Sequence, residues 1–143
     1  MKAASVEEKV FDEIQIGSHV SFPVTVNHQT VKEFAGLSGD YNPLHMDPTY
    51  AKETEFSQPI CHGALINAFF SQLVGMHLPG KYCLYLSQES VFRKPVFLPS
   101  RLTIQGTVIA KSDSTRILTI QTQARNAKEE ILVDGVAKVK VLR

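Results

Sequence analysis

The sequence has few cysteines and no long hydrophobic run, and both features exclude classes of protein. Cys61 and Cys83 cannot form a disulfide framework in 143 residues, so a reducing compartment is the simpler expectation. No stretch reaches the roughly 18–20 apolar residues of a membrane span. The first ten residues, MKAASVEEKV, lack the apolar core of a signal peptide. We expect a cytoplasmic protein, or one of the mitochondrial matrix if a presequence has been removed.

An excess of charge of one sign is also missing. Fifteen Lys and Arg residues balance fourteen Asp and Glu residues, and the net charge is +1. This balance gives no electrostatic reason to expect nucleic acid or an anionic membrane as the main partner. The length and the hydrophobic fraction of 43% are those of one globular domain with a substantial core. We predict an N-terminal surface segment over residues 1–16 and a single domain over residues 17–143.

The first half of the domain predicts a strand followed by a helix. The alternating run HVSFPVTV, residues 19–26, is typical of a strand, and Pro23 within it favours the edge of a sheet. Asn27 is suited to cap a helix after this strand, and Gly39 is suited to end that helix. Residues 40–59, with three prolines, predict a long loop that contains one short helix near 48–54.

The run GALINAFFSQLVGMHL, residues 63–78, predicts a helix of about 24 Å that is apolar nearly all the way round. Small or polar residues recur along it every four positions: Gly63, Asn67, Ser71 and Gly75. Four strand patterns follow it, at residues 82–93, 101–111, 116–125 and 131–142. A curved antiparallel sheet that wraps one apolar helix, the α+β hot-dog architecture, is the economical solution. Such sheets often extend edge to edge across a homodimer.

The stretch GDYNPLH, residues 39–45, brings an acid and an imidazole close in sequence. Pro43 prevents Asp40 and His45 from sharing a regular helix, and on a strand their side chains would point to opposite faces. We therefore expect an irregular loop to bring the two side chains together.

The pair His62-Gly63 stands at the start of the apolar helix, where the first backbone N–H groups have no partner within the helix. These donors suit a developing oxyanion, and glycine allows a ligand to approach the backbone closely. If the loop with Asp40 and His45 lies over this helix end, the site holds a carboxylate, an imidazole and an oxyanion hole. Hydration of a thioester-activated alkene needs this set of groups.

Each of these residues also has an ordinary structural interpretation. Asp40 after a glycine can form an Asx-turn, and a single histidine such as His45 or His62 can be a hydrogen-bonded structural residue. Asn67 and Ser71 can be ordinary polar positions of a helix that bond to the sheet. The acidic, histidine and cysteine residues of this region match no familiar metal-ligand spacing, so we predict no metal site.

The combination of motifs decides between these interpretations. The run FAGLSGDYNPLHMDPTYA, residues 34–51, resembles the hydratase motif of the MaoC-like, (R)-specific enoyl-CoA hydratases. The runs PICHGALINAFFSQLVG and LPGKYCLYLSQESVFRKPVF resemble the central helix of that family and the strand that follows it. The resemblance covers residues 17–142.

The resemblance implies a role for each matching residue. Asp40 and His45 would be the catalytic pair that holds the water added to the β carbon, and the sequence leaves open which of them takes the water's proton. The N–H of Gly63 would bind the thioester carbonyl. Three residues would support this machinery: Asn42, Ser71 and His62. Two basic residues would be candidates for binding the CoA phosphates: Arg93 and Lys94.

The resemblance also implies a reaction. The enzyme would be a lyase of fatty-acid metabolism, producing an (R)-3-hydroxyacyl thioester without a cofactor, with CoA or acyl-carrier pantetheine as part of the substrate. A hot-dog thioesterase or short acyl-carrier dehydratase would place a carboxylate on the central helix, yet no Asp or Glu occurs between Cys61 and Gln88. A non-catalytic acyl-thioester-binding module would not need Asp40 and His45 together. Chain length and carrier stay open.

Overall fold

A five-stranded antiparallel sheet frames the molecule in the computed structural model, which describes residues 4–143. The strands follow one another in the sheet in the order β1-β3-β4-β5-β2. Their bounds are β1 His19–Val26, β2 Cys83–Phe92, β3 Ser100–Ser112, β4 Ile117–Arg125 and β5 Ile131–Val141. The predicted first strand, its edge position and the four later strands are confirmed.

The first helix, α1, runs from His28 to Ser38 as its flanking residues predict. The side chain of Asn27 accepts a hydrogen bond from the backbone N–H of Thr30, and the side-chain oxygen of Thr30 accepts one from the backbone N–H of Asn27, which completes a capping box. Gly39 ends the helix in the left-handed conformation, with φ of 80°. The chain therefore leaves α1 at a fixed point, directly before Asp40.

The loop after α1 contains two short helices rather than the one expected. These are α2, Pro43–Met46, and α3, Pro48–Lys52. Each begins with a proline, which suits a first helical position, and each is capped by the preceding residue, Asn42 or Asp47. His45 thus lies on a single helical turn, and the expectation of a fully irregular loop around it is wrong.

The central helix α4, Gly63–Gln72, continues into a π-helical turn over Leu73–His77. Together they span the predicted helix, but its last turn is wider than an α-helix. Ile66, Phe70 and Leu73 are fully buried against the sheet. The opposite face is exposed in the single chain at Ala64, Ala68, Ser71 and Gln72. The expected burial on most sides is therefore met only where the sheet covers the helix.

Of the predicted N-terminal segment, residues 1–3 lie outside the described part of the chain, and residues 4–16 lie on the surface but contribute two side chains to the core. Phe11, on a short 3-10 helix over Phe11–Glu13, and Ile14 are buried among residues of the sheet. The Lys111 Nζ donates to the backbone oxygens of Phe11, at 2.9 Å, and Ile14, at 2.5 Å. Within residues 4–143 no helix is long and apolar enough to cross a membrane. The domain boundary near residue 17 stays a prediction.

Candidate active site

Asp40, His45 and His62 meet where the loop passes the start of α4. Each of the three offers one side-chain nitrogen or oxygen, and these atoms lie within 4.8 Å of one another. Asp40 follows the end of α1, His45 lies on α2, and His62 is the residue directly before Gly63 of α4. The loop therefore brings the two residues of the GDYNPLH motif to the helix end, as the sequence predicts.

Asp40 uses one carboxylate oxygen to hold its own loop. Its Oδ1 accepts a hydrogen bond from the backbone N–H of Asn42 at 3.1 Å. This is the Asx-turn that the structural interpretation expects. The side chain is 49% exposed, so the second oxygen is accessible to a ligand. Asn42 in turn accepts a bond from the backbone N–H of Leu44 at 2.9 Å and so caps α2.

The ring of His45 is oriented by a main-chain carbonyl. Its Nδ1 lies 2.8 Å from the backbone oxygen of Ile60. Because a carbonyl oxygen can only accept, Nδ1 carries the hydrogen in this bond, and Nε2 of the neutral ring is left as a proton acceptor. The fold thus selects the tautomer in which His45 presents a lone pair.

His62 is buried beneath these two residues, with 1% of its surface exposed. Its Nε2 lies 2.9 Å from the backbone oxygen of Asp40 and 3.9 Å from the carboxylate Oδ2 of the same residue. Its ring stacks against the ring of His45, with centroids 4.0 Å apart and planes inclined by 32°. On another side it meets the ring of Phe34 in an edge contact at 4.9 Å.

A largely apolar cavity of about 400 Å³ opens beside His45 and Gly63. Its apolar lining includes Phe56, Ile60, Cys61, Ile66, Phe92, Val96 and Val133. Phe92 packs directly on Gly63, so that a Cβ atom at position 63 would lie 2.8 Å from its ring. Glycine at this position therefore makes room for the aromatic ring, and it leaves the first N–H groups of α4 beside the cavity.

The thiol of Cys61 lines this cavity but is not poised as a nucleophile. Burial raises its pKa to about 12, because desolvation disfavours the thiolate. Burial also raises the pKa of Cys83, on β2, to about 11. Both residues are free thiols. The carboxylate of Asp40 and the imidazole of His45 therefore stay the candidate reactive groups of the site.

The remaining residues of the sequence prediction lie around this centre. Ser71 is exposed on α4, on the face that the sheet leaves open. Arg93 and Lys94 line the cavity, but Arg93 pairs with Asp134 at 3.1 Å and Lys94 pairs with Glu130. The Lys94 ammonium holds the pKa of Glu130 below its usual range. A phosphate group would have to compete with these two carboxylates.

Asp40, His45 and His62 are also the residues here that could hold a metal ion. In the structure, a ring nitrogen of each histidine already faces a backbone oxygen. Asp47, close by in sequence, accepts bonds from the backbone N–H groups of α3 instead.

Sequence reasoning missed the carbonyl of Ile60 and the ring of Phe92. Every residue has a backbone carbonyl, so the sequence could not indicate that the carbonyl of Ile60 would contact the site. The alternation of β2 could have revealed the second, since Phe92 pairs with the buried Val133 on the inner face of the sheet.

Known proteins match this chain over most of its length. The MaoC like domain family matches residues 12–130. The chain is 37% identical to an (R)-specific enoyl-CoA hydratase of Aeromonas caviae, over 90% of this chain and 96% of that protein. It is 33% identical to an (R)-specific enoyl-CoA hydratase of Rhodospirillum rubrum, over 92% of this chain and 90% of that protein.

Solved structures of (R)-hydratases share the fold of this chain. The (R)-hydratase from A. caviae involved in PHA biosynthesis superimposes with a TM-score of 0.87 at 37% identity, over 90% of this chain and 97% of that chain. The unliganded R-hydratase PhaJ1 from Pseudomonas aeruginosa superimposes with a TM-score of 0.90 at 30% identity, over 95% of this chain and 87% of that chain. The expected hot-dog architecture is therefore confirmed.

Proposed function

The chain belongs to the MaoC-like domain family, and from that membership we propose that it is an (R)-specific enoyl-CoA hydratase. It adds water reversibly to a trans-2-enoyl thioester and yields an (R)-3-hydroxyacyl thioester, so the reverse reaction is a dehydration. One observation carries the proposal. The carboxylate of Asp40 and the imidazole of His45 lie together at the start of α4, beside an apolar cavity, with Nδ1 of His45 bonded to a backbone carbonyl.

The spacing of Asp40 and His45 suits a shared water molecule. Two atoms that each bond one water at about 2.8 Å lie roughly 4.5 Å apart when the angle at the water is near tetrahedral. One side-chain atom from each of Asp40, His45 and His62 lies within 4.8 Å of the others, an upper limit that is compatible with this spacing. A water held by the carboxylate and the imidazole would be oriented toward a substrate in the adjacent cavity.

The tautomer of His45 supports a proton path. We assign the removal of the water's proton to Nε2, because Nδ1 is engaged by the carbonyl of Ile60. The water oxygen bonds to the β carbon, and the electron pair of the double bond moves to the thioester oxygen, where the Gly63 N–H stabilises it. The imidazolium then returns a proton to the α carbon, while the Asp40 carboxylate stabilises the imidazolium.

A hot-dog acyl thioesterase is the alternative enzyme, and a non-catalytic acyl-thioester-binding module is the alternative from another class. The central helix of this chain carries no carboxylate over residues 63–77, which disfavours the thioesterase. A binding module has no use for a histidine held with its lone pair beside a carboxylate.

We further propose that the enzyme is a homodimer. β2 is an edge strand of the sheet, and it exposes apolar side chains at Leu84, Leu86, Val91 and Phe92. α4, which has an open face in the single chain, contacts β2. Pairing of two β2 strands would satisfy the free backbone groups of this edge and would place the partner chain beside α4.

The test is the hydration of crotonyl-CoA by the purified protein. We expect loss of the enoyl-thioester absorbance and an (R)-alcohol on chiral chromatography. Release of free CoA thiol, measured with a thiol reagent, would indicate the thioesterase. Absence of both reactions with short and medium enoyl-CoA and with enoyl-acyl-carrier protein would contradict the proposed function and favour the binding module.

A further inference from the structure

The loop that carries Asp40 is poorly held by its own packing. Residues 36–43 are all exposed. Two of the hydrogen bonds of Asp40 are local, from its N–H to the Ser38 hydroxyl at 3.2 Å and from the Asn42 N–H to its carboxylate. The bond that joins Asp40 to a distant element is the one from Nε2 of His62 to its backbone oxygen, at 2.9 Å.

The same His62 ring also supports His45. The two imidazoles stack with centroids 4.0 Å apart, and the ring of Phe34 on α1 confines His62 from another side. Because His62 is 1% exposed, its ring cannot move without disturbing the core around it. The rigid ring of His62 thus stacks against His45 and is hydrogen-bonded to the backbone of Asp40.

The hydrogen-bonding state of His62 follows from its partners. The carbonyl of Asp40 can only accept, so Nε2 carries the hydrogen. Nδ1 is buried and has no hydrogen-bond partner among residues 4–143. A hydrogen on that nitrogen would be a buried donor without an acceptor, which is costly. The ring therefore serves as a donor and an aromatic surface, and it is not arranged to relay protons.

We propose that His62 is a positioning residue that fixes Asp40 and His45 relative to the oxyanion hole. Its own backbone leads directly into Gly63, the first residue of α4. His62 thus connects three parts of the site: the backbone of Asp40, the imidazole of His45 and the start of α4. This inference rests on the proposed hydratase function and deepens it. Displacement of a reacting group by about 1 Å lowers rates by about 100-fold, so the anchoring is required for turnover.

Two variants of matched size separate the donor from the bulk of the side chain. His62→Gln keeps an N–H donor near the position of Nε2, whereas His62→Met fills the same space without a donor. We expect His62→Met to lower kcat for crotonyl-CoA by about 10- to 100-fold with KM nearly unchanged. His62→Gln should recover most of that loss. Equal kcat in the two variants would overturn the proposal.

A double substitution tests whether His62 acts through Asp40. Groups that act as a unit are not additive, so His62→Met should cost a smaller fold-loss of kcat in an Asp40→Asn background than in the wild type, because only its support of His45 is then lost. A purely structural role predicts instead the same fold-loss of kcat in both backgrounds. That outcome would contradict a positioning role.

Two readouts do not depend on catalysis. Nitrogen-15 NMR of the imidazoles should show Nε2 of His62 protonated and Nδ1 bare, and the reverse tautomer would overturn the proposal even if no variant folds. Backbone hydrogen exchange over residues 39–45 should accelerate in His62→Met and not in His62→Gln. If the wild type hydrates no enoyl thioester, the proposed function fails, whereas failure of these two readouts counts against His62 alone.

Discussion

At the scale of single residues, Asp40 serves its loop and the proposed chemistry with different atoms. Its Oδ1 closes an Asx-turn on Asn42, its backbone oxygen accepts from His62, and its second carboxylate oxygen is left for a water molecule. The Asx-turn expected of this residue is therefore present, and it occupies only one oxygen of the carboxylate. In the mechanism that we propose, the same carboxylate would also act on a water molecule.

The sequence predicted the candidate site only where side chains, rather than main-chain groups, form it. The motif GDYNPLH identifies Asp40 and His45, and the His-Gly pair identifies the helix start. The carbonyl of Ile60, which selects the tautomer of His45, comes from a main chain that every residue possesses. The hydrogen bond from His62 Nε2 to the backbone oxygen of Asp40 likewise depends on long-range folding that no short motif encodes.

The contact between Gly63 and Phe92 gives a prediction at this scale. A Cβ atom in Gly63→Ala would lie 2.8 Å from the Phe92 ring, so the ring must be displaced. We expect a loss of about 1–3 kcal/mol in the free energy of unfolding, measured with urea, and a lower kcat/KM.

The control and the rescue come from the same helix region. Gly75→Ala places a Cβ where no atom lies within 4 Å, so it should not produce the clash. Phe92 is 54% exposed, so removing its ring costs little buried area, and Gly63→Ala/Phe92→Ala should recover stability relative to Gly63→Ala. A Gly63→Ala protein as stable as the wild type would refute the account of this contact.

At the scale of elements, α2 is a four-residue helix that carries His45. It begins at Pro43, is capped by Asn42, and ends at Met46. Sequence periodicity did not predict it, because four residues are too few to establish a helical repeat. The longer elements β1 and α1 were predicted with their ends, since alternation, an Asn cap and a Gly terminator all agree there.

The cap of α2 gives the second prediction. Asn42→Ala removes the acceptor for the Leu44 N–H, and a lost cap costs about 0.5–2 kcal/mol. Because α2 is so short, the loss should fray the turn that holds His45 and lower kcat by roughly 10-fold. Initial rates of crotonyl-CoA hydration measure this effect.

The matched control is the cap of the neighbouring helix. Asn27→Ala breaks the capping box of α1 and should lower the thermal midpoint of unfolding with kcat unchanged. Asn42→Asp keeps a capping oxygen and should behave as the wild type. Equal kcat losses in Asn27→Ala and Asn42→Ala would show that the cap acts through global stability.

At the scale of the whole molecule, the sheet covers one side of α4 and leaves the other side open. The sequence predicted a helix buried on most sides, and a single chain does not provide that burial. The hydrophobic sequence of α4 predicts more burial than one chain provides. In the dimer that we propose, the second chain would cover the open side of the helix. This part of the fold cannot be read from strand and helix patterns within one chain.

The proposed dimer gives the third prediction. Ala68 is exposed on the open face of α4 in the single chain. In a dimer that covers this face, Ala68→Glu would bury an unpaired charge, which is strongly unfavourable. We expect sedimentation equilibrium to find a wild-type dimer and a dissociated Ala68→Glu protein with reduced activity.

A second exposed position serves as the control for this experiment. Ile16 is exposed in the segment before β1, so Ile16→Glu should leave the dimer intact. A wild type that sediments as a monomer, or an Ala68→Glu protein that stays dimeric, would contradict the proposed interface.

The most direct test of the central claim is the initial rate of crotonyl-CoA hydration by Asp40→Asn and by His45→Ala. We expect each substitution to lower kcat by at least about 100-fold, while the circular dichroism spectrum and the unfolding midpoint stay near those of the wild type. His28→Ala, at an exposed histidine of α1, should retain the wild-type rate. Wild-type rates in both site variants would contradict the assignment of Asp40 and His45 as the catalytic pair.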